Sequence, residues 1–240
     1  MKYTALALLV LSACAQPPMS SAPVPASAKA DSVAPNVRWY RASAEKRAIY
    51  LQTYRAASAS ILRRAQGLKP NTFGVIVDAD ETIIDNSRYQ LEHPVYDETS
   101  WNEWVRSERA EIQPGALEFT KQVHAVGGRV VVVTNRDDKY CDATRSNIRK
   151  LGIDADEVLC KTDPKSGDKN PRFEAVQAGT APSQLPPLRI LMWVGDNIQD
   201  FPKLSQAVRL QGDAAFADFG EGFVVLPNPM YGSWDKNPIP

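Results

Sequence analysis

Net charge, histidine and long apolar runs are what this 240-residue chain has least of. Its 28 basic and 28 acidic side chains cancel to a formal net charge of zero, which leaves no broad positive footprint for a nucleic acid polymer. The two histidines are His93, before Pro94, and His124, in a helical segment before Gly127. Neither accompanies a reactive Ser or Cys motif, which disfavours a Ser-His-Asp hydrolase. Three cysteines do not make the disulfide framework of small secreted scaffolds, which carry them densely and in even number. No internal repeat is visible. With 43% hydrophobic and 23% charged residues the chain is not disordered as a whole, and its length suits one domain of ordinary size or one with a modest cap.

The apolar stretch Ala5 to Leu11 follows Lys2 and ends in Leu11-Ser12-Ala13-Cys14. It is too short to cross a bilayer, and with its positive lead and small trailing residues it predicts an export signal. The quartet resembles the lipobox of bacterial lipoproteins, in which the peptide is cut before the Cys and the thiol carries a diacylglycerol. That resemblance implies a signal peptide over 1–13, lipidation at Cys14 and, from Ala15 in place of Asp, the bacterial outer membrane as location. Two acyl chains, with a third often added to the new amine, anchor stably where one would not. Residues 14–36 are rich in Pro, Ala and Ser, too poor in large apolar side chains to order themselves, and predict a tether.

Residues 37–240 form the globular part. A long amphipathic helix is predicted over 43–66, where Tyr50, Tyr54, Ala57, Ile61 and Ala65 recur at helical spacing before Gly67. Its tyrosine stripe reads as packing rather than as a ligand box. Phe73 to Val77 is a short apolar, partly β-branched run, a strand buried on both faces, and it breaks into Asp78-Ala79-Asp80-Glu81-Thr82. A second strand, 129–133, follows a helical segment over 116–126 and ends in Thr134-Asn135-Arg136. A third, 190–194, ends in Gly195-Asp196-Asn197, with Asp200 beyond. Apolar strands alternating with helices and each finishing in polar residues describe an α/β fold with a Rossmann-like parallel sheet, whose carboxyl edge collects the chemistry. Ser87 to Gln113 is too long for a simple connection and predicts a small, mainly helical cap over the site mouth.

These motifs together resemble the haloacid dehalogenase superfamily of phosphotransferases, and within it the class C acid phosphatases, which include outer-membrane lipoprotein 5'-nucleotidases. Asp78-Ala79-Asp80-Glu81-Thr82, continued by Ile83-Ile84-Asp85-Asn86, matches the first motif. Thr134-Asn135-Arg136 matches the second, and Gly195-Asp196-Asn197 through Asp200-Phe201 the fourth. The likeness runs from about Arg38 to Trp234 and takes in the tail Leu226-Pro227-Asn228 to Tyr231-Gly232-Ser233-Trp234. The third motif, a lysine, is ambiguous: Lys161, Lys165 and Lys169 share one polar loop. The pattern Lys165-Ser166, Lys169, Arg172-Phe173 favours Lys169, with Lys165 in reserve.

The resemblance implies a metal-dependent phosphomonoesterase working through an aspartyl phosphate. Asp78 would be the nucleophile and Asp80 the acid that protonates the leaving oxygen and then activates water. Thr134 would donate to the phosphoryl oxygens and Lys169 would set its charge against Asp78 and the phosphate. One Mg²⁺ is implied, held by Asp78, the backbone carbonyl of Asp80, and Asp196, with Asn135 and Asp200 in support. Small phosphate esters are the implied substrates, nucleoside 5'-monophosphates among them, held by Tyr96, Trp101 or Trp104, and Tyr231 through stacking on the base. The absence of a placed histidine disfavours the histidine phosphatase mechanism. The alternative is a catalytically weak surface-binding lipoprotein of the same fold. A Cys141–Cys160 bridge is left open, because sequence does not give the Cα separation, and oligomeric state is not readable.

Overall fold

The computed structural model describes residues 33–239; the signal peptide, Cys14 and the tether up to residue 32 lie outside the described residues. The tether prediction runs two residues too far, because a helix, α1, spans Pro35–Ala42. Pro35 occupies its first turn, where the missing N–H has no intrahelical acceptor to lose and φ is already helical. Ser43 ends α1 and caps α2 (Ala44–Arg64), accepting from Lys46 N–H at 3.0 Å. Among the described residues no helix is long and apolar enough to cross a membrane.

The centre of the molecule is β1 (Phe73–Val77), with all five residues buried. It lies in a five-stranded parallel sheet with β4 (Arg129–Asp137), β5 (Glu157–Lys161), β6 (Arg189–Gly195) and β7 (Phe223–Val225), in the order β5-β4-β1-β6-β7. The chain thus winds outward from β1 through β4 to β5, then returns to lay β6 on the other side of β1. The carboxyl ends flanking that reversal are where such sheets bind ligands. The sequence reading counted three strands. The other two, β5 and β7, sit at the sheet edges and carry apolar runs of only three residues, Val158 to Cys160 and Phe223 to Val225, too brief to mark a strand by pattern. Alternation along the strands divides the core. Val75, Val77, Val130 and Val132 face one apolar cluster and Ile76, Val131 and Val133 the other, as the two-residue period of a pleated strand requires.

Helices cover both faces. α5 (Ala116–Ala125) and α2 share the first cluster, where the Tyr54 and Phe119 rings lie 5.4 Å apart. α7 (Asn170–Ala178) contributes Phe173 and Val176 to the second. α6 (Cys141–Lys150) precedes β5. The segment over 84–113 holds α3 (Ser87–Glu92), α4 (Glu98–Ser107) and a two-stranded antiparallel ribbon of β2 (Ile84–Asp85) with β3 (Glu111–Ile112). Gly74 is needed at the centre of the sheet, because a Cβ there would lie 2.6 Å from the Arg129 carbonyl oxygen of the neighbouring strand.

Cys141 and Cys160 are joined, with their Cα atoms 5.9 Å apart, which closes the question that sequence left open. The bond ties the start of α6 to β5 across a separation of 19 residues, and closing a loop of that size removes on the order of 3 kcal/mol of unfolded-state entropy. Replacing both cysteines by serine should therefore lower the unfolding free energy by about 3 kcal/mol in urea titrations, and dithiothreitol should lower the parent protein toward the same value. Indistinguishable midpoints for parent and variant would show that the bridge contributes nothing.

Candidate active site

The site is built where β1 ends. The Asp78 N–H still joins the ladder, donating to Val194 O at 2.9 Å, and the chain then coils so that Ala79 O accepts from Thr82, Ile83 and Ile84. Glu81 takes a left-handed conformation, φ 51°, which turns the backbone sharply enough for Asp78 and Asp80 to open on one mouth. β6 delivers Asp196 beside them, and α7 begins at the lysine that faces them.

That lysine is Lys169. Its buried ammonium contacts Asp78 Oδ1 and lies 2.7 Å from Asp200 Oδ1. Lys161 is instead paired with Asp137 at 3.0 Å, and Lys165 is exposed. Asp200 also accepts from the Asn197 N–H through Oδ2 at 2.9 Å. It reaches this position because residue 195 is glycine: a Cβ there would fall 2.3 Å from the Asp200 carboxylate. Asp196 accepts from Asn228 Nδ2 at 2.8 Å and from the Thr82 hydroxyl at 3.3 Å.

Negative charge exceeds positive charge here. Ligand oxygens of Asp78, Asp196 and Asp200 lie within 4.8 Å of one another, with Lys169 the ammonium among them. Burial raises Asp78 to about 7 against the pull of Lys169, with Asp200 and Asp80 adding to the rise. Burial, then Asp200 and Asp78, push Asp196 well above the usual carboxylate range. Lys169 is driven upward by Asp200 and Asp78 despite its burial and stays protonated. A cluster of hard oxygen donors with unbalanced charge suits a hard divalent cation, and the residues present fit one. The grouped side chains are Asp78, Asp196 and Asp200; the ligand expected from Asp80 is its backbone carbonyl, and its side chain turns elsewhere.

The Asp80 carboxylate meets Arg136 and Asn86. Its Oδ1 accepts from Arg136 Nη2 at 2.8 Å, Arg136 Nε at 3.0 Å and Asn86 Nδ2 at 2.8 Å. Arg136 and Asn86 were quoted in the motifs without a role. The signal that could have found them is general: a buried guanidinium needs a carboxylate, and a buried amide needs several partners. Beneath this loop the tyrosines of α1 and α2 do more than pack. Tyr50 and Tyr54 donate to Glu81 O at 2.5 Å and Thr82 O at 2.7 Å, and Tyr40 meets Tyr50. Lys46, buried under the Tyr40 and Tyr50 rings, reaches Asp85 at 2.9 Å and Gln113 at 2.6 Å. Glu81 is fully buried and, for that reason first, pushed well above its ordinary range.

Thr134 is buried at the end of the apolar part of β4, its hydroxyl accepting from Arg136 N–H at 3.2 Å. It does not line the cavity of about 170 Å³ at Asp78; Asn135 does, together with Asp80, Lys169, Asp196 and Tyr231. Asn135 is held by Arg172 at 2.6 Å, and Arg172 also binds Thr134 O at 2.5 Å, tying this segment to α7. A second cavity of about 280 Å³ opens under α4, lined by Tyr96, Trp101, Tyr140 and Lys161, and shares Asn135 with the first. Tyr96 is exposed and Trp101 half-buried. Trp104 does not belong with them. It is 2% exposed, and its Nε1 donates to Asn86 Oδ1 at 2.9 Å; three residues apart on α4 the two indoles share a helix face and both pack on Tyr89, but only Trp101 reaches the cavity. The Tyr231 hydroxyl is buried without a partner.

The sequence profile of the HAD superfamily, subfamily IIIB (acid phosphatase), matches residues 12–234. The class C acid phosphatase from Bacillus anthracis superposes with a TM-score of 0.72 and 28% identity over 83% of this chain and 85% of that one. The same protein with tungstate bound gives 0.71 and 27% over the same shares. Acid phosphatase 1 of Solanum lycopersicum is 23% identical over 161 residues, 65% of this chain, and the chain spans 57% of that relative's length.

Both raised carboxylates, Asp78 and Asp196, hold protons in the folded state that the unfolded chain releases above about pH 4. The Asp78 contribution to stability is therefore fully present in acid and is lost as pH rises from about 4 through about 7, and Asp196, raised in the same direction, loses its own contribution likewise as pH rises. Metal-free protein should lose thermal stability across that window. Added Mg²⁺, which takes the place of those protons, should raise Tm more at pH 7.5 than at pH 5. Thermal scans with EDTA and with Mg²⁺ measure this, and an increment that is equal at both pH values or larger in acid counts against the carboxylate cluster as the binding site.

Proposed function

The chain belongs to subfamily IIIB of the HAD superfamily, the acid phosphatases, and from that membership we propose that it is a metal-dependent phosphomonoesterase acting through an aspartyl-phosphate intermediate. The observation that carries the reading is the contact of buried Lys169 with both Asp78 and Asp200, beside a second carboxylate, Asp80, on a separate set of donors. Asp78 is held against the Lys169 ammonium and Asp80, on the other side of the mouth, against the Arg136 guanidinium and the Asn86 amide, two environments that suit two different roles.

Asp78 attacks phosphorus through Oδ2, because Oδ1 is engaged by Lys169. The bond to the leaving oxygen breaks and Asp80 gives that oxygen a proton, leaving an acyl phosphate on Asp78. Asp80 then takes a proton from water as the water attacks phosphorus, phosphate departs and the Asp78 carboxylate is restored. Lys169 sets its charge against the developing phosphoryl oxygens, and Asn135, on the cavity wall, supplies an amide donor. Thr134, whose hydroxyl accepts from Arg136 N–H, keeps its own O–H free to donate to them. A divalent cation held by Asp78, Asp196 and the backbone carbonyl of Asp80, for which Mg²⁺ is our choice, offsets the charge of carboxylates and phosphate together. Asp200 stays with Lys169.

The cavity under α4 takes the leaving group. Tyr96, Trp101 and, from the tail, Tyr231 present aromatic surface that suits a nucleobase with little discrimination between bases, which supports nucleoside 5'-monophosphates among other small esters. The tungstate on the Bacillus anthracis relative is a tetrahedral oxyanion like phosphate and supports the same chemistry. Lipidation at Cys14 and residence at the bacterial outer membrane complete the proposal and rest on the Leu11-Ser12-Ala13-Cys14 quartet.

The purified protein should release phosphate from p-nitrophenyl phosphate and from nucleoside 5'-monophosphates, lose that activity in EDTA and regain it with Mg²⁺. Asp78→Asn should lower kcat by about 10⁴-fold or more with an unchanged far-ultraviolet circular dichroism spectrum. Retained turnover after the amide substitution rules out the covalent route, and full activity in EDTA rules out the metal. Expressed in bacteria, the parent should incorporate labelled palmitate into the membrane fraction and Cys14→Ser should not; equal labelling of the two removes the anchor.

A further inference from the structure

Asn86 is fully buried and commits every polar group of its side chain. Its Nδ2 donates to Asp80 Oδ1 at 2.8 Å and to Glu81 Oε2 at 3.4 Å. Its Oδ1 accepts from Trp104 Nε1 at 2.9 Å and from Arg136 Nη2 at 3.1 Å. The acceptor bonds fix the amide's orientation, since a flipped amide would set its NH₂ against two donors. The side chain that does this from the cap is Trp104 on α4.

The consequence falls on Asp80. Oδ1 receives three donors, from Asn86 and from both Arg136 nitrogens, whereas Oδ2 receives only the Arg136 Nε–H at 3.2 Å. Oδ2 is therefore the oxygen with an open lone pair. Trp101, one turn earlier on α4, places its ring 5.6 Å from the Arg136 guanidinium and also lines the cavity under the cap. The same helix turn thus touches the leaving-group cavity on one side and the Asp80 donors on the other.

The geometry points to Trp104 as a positioning residue, which through Asn86 orients Asp80 so that Oδ2 carries the proton to the leaving oxygen. The inference deepens the phosphatase reading and rests on it. In the step concerned, Asp78 forms its bond to phosphorus, the bond from phosphorus to the leaving oxygen breaks, and the proton on Asp80 Oδ2 passes to that oxygen. Removing the indole N–H takes away the shorter of the two bonds that hold the Asn86 oxygen, leaving the amide fixed by Arg136 and Glu81 alone and its hold on Asp80 weakened. An ester whose leaving group departs unprotonated needs little from Asp80, whereas an alkyl ester needs the proton in full.

The test is Trp104→Phe in the full chain, which keeps the ring and removes the donor, with kcat/KM measured on p-nitrophenyl phosphate and on glycerol 1-phosphate. This ratio reports the phosphoryl-transfer half of the reaction. The loss on the alkyl ester should exceed the loss on the aryl ester by about tenfold or more. Losses equal on the two esters, which a merely structural role produces, or no loss at all, overturn the inference while leaving the phosphatase reading intact. Should Trp104→Phe lack a cooperative thermal transition, Asn86→Ser is read by the same comparison and the same two outcomes decide. If the parent protein hydrolyses neither ester, the phosphatase reading fails and this inference with it.

Discussion

Uncompensated negative charge in a buried pocket organises this molecule. Asp78, Asp196 and Asp200 converge within 4.8 Å, and the lysine among them cannot balance all three. Burial first, and then the like charges at that range, raise the affinity of Asp78 and Asp196 for protons or for a cation. The arrangement persists because the sheet imposes it. Asp78 ends β1, Asp196 ends β6, and the two strands are adjacent and parallel, so the ladder that stabilises the sheet is also what forces the carboxylates together.

The surrounding structure resists that strain in two layers. Nearest the site, Lys169 bridges Asp78 and Asp200, while Asn228 and Thr82 satisfy Asp196. Further out, α1 and α2 clamp the segment after β1 through Tyr50, Tyr54 and the buried Lys46–Asp85 pair. A buried charge pair contributes little net stability over a well-packed apolar alternative, so this one is better understood as fixing a conformation. The segment it fixes carries Glu81 in the left-handed region, where a side-chain-bearing residue persists only when its surroundings over-determine it.

Two carboxylates spaced by one residue are thereby given different electrostatic company. Asp78 lies against an ammonium and two like charges; Asp80 lies against a guanidinium and an amide on the other side of the mouth. Separate environments for neighbouring titratable groups are how one fold assigns one as nucleophile and the other as acid. The cap enters this division through α4, whose two tryptophans, one turn apart, reach different partners. Trp101 lines the cavity, and Trp104 supports Asn86 from the core.

Much of this was legible in the sequence, because strand runs and the polar residues that end them are local features. β1, α2 and α5 fall within two residues of their expected bounds, and the carboxylates Asp78, Asp80 and Asp196 were recognisable from their positions at strand ends, with Asp200 a few residues beyond the last of them. What sequence left open were relations between distant segments: which of three loop lysines meets Asp78, whether Cys141 reaches Cys160, and which cap tryptophan faces the cavity. It also passed over Arg136 and Asn86 as agents, since their roles exist only where β4, the loop after β1 and α4 meet. Periodicity and turn chemistry are properties of a few consecutive residues and are written in their order. Partnership between buried charges depends on which elements the packed core brings within a few ångströms, and only the tertiary structure decided that.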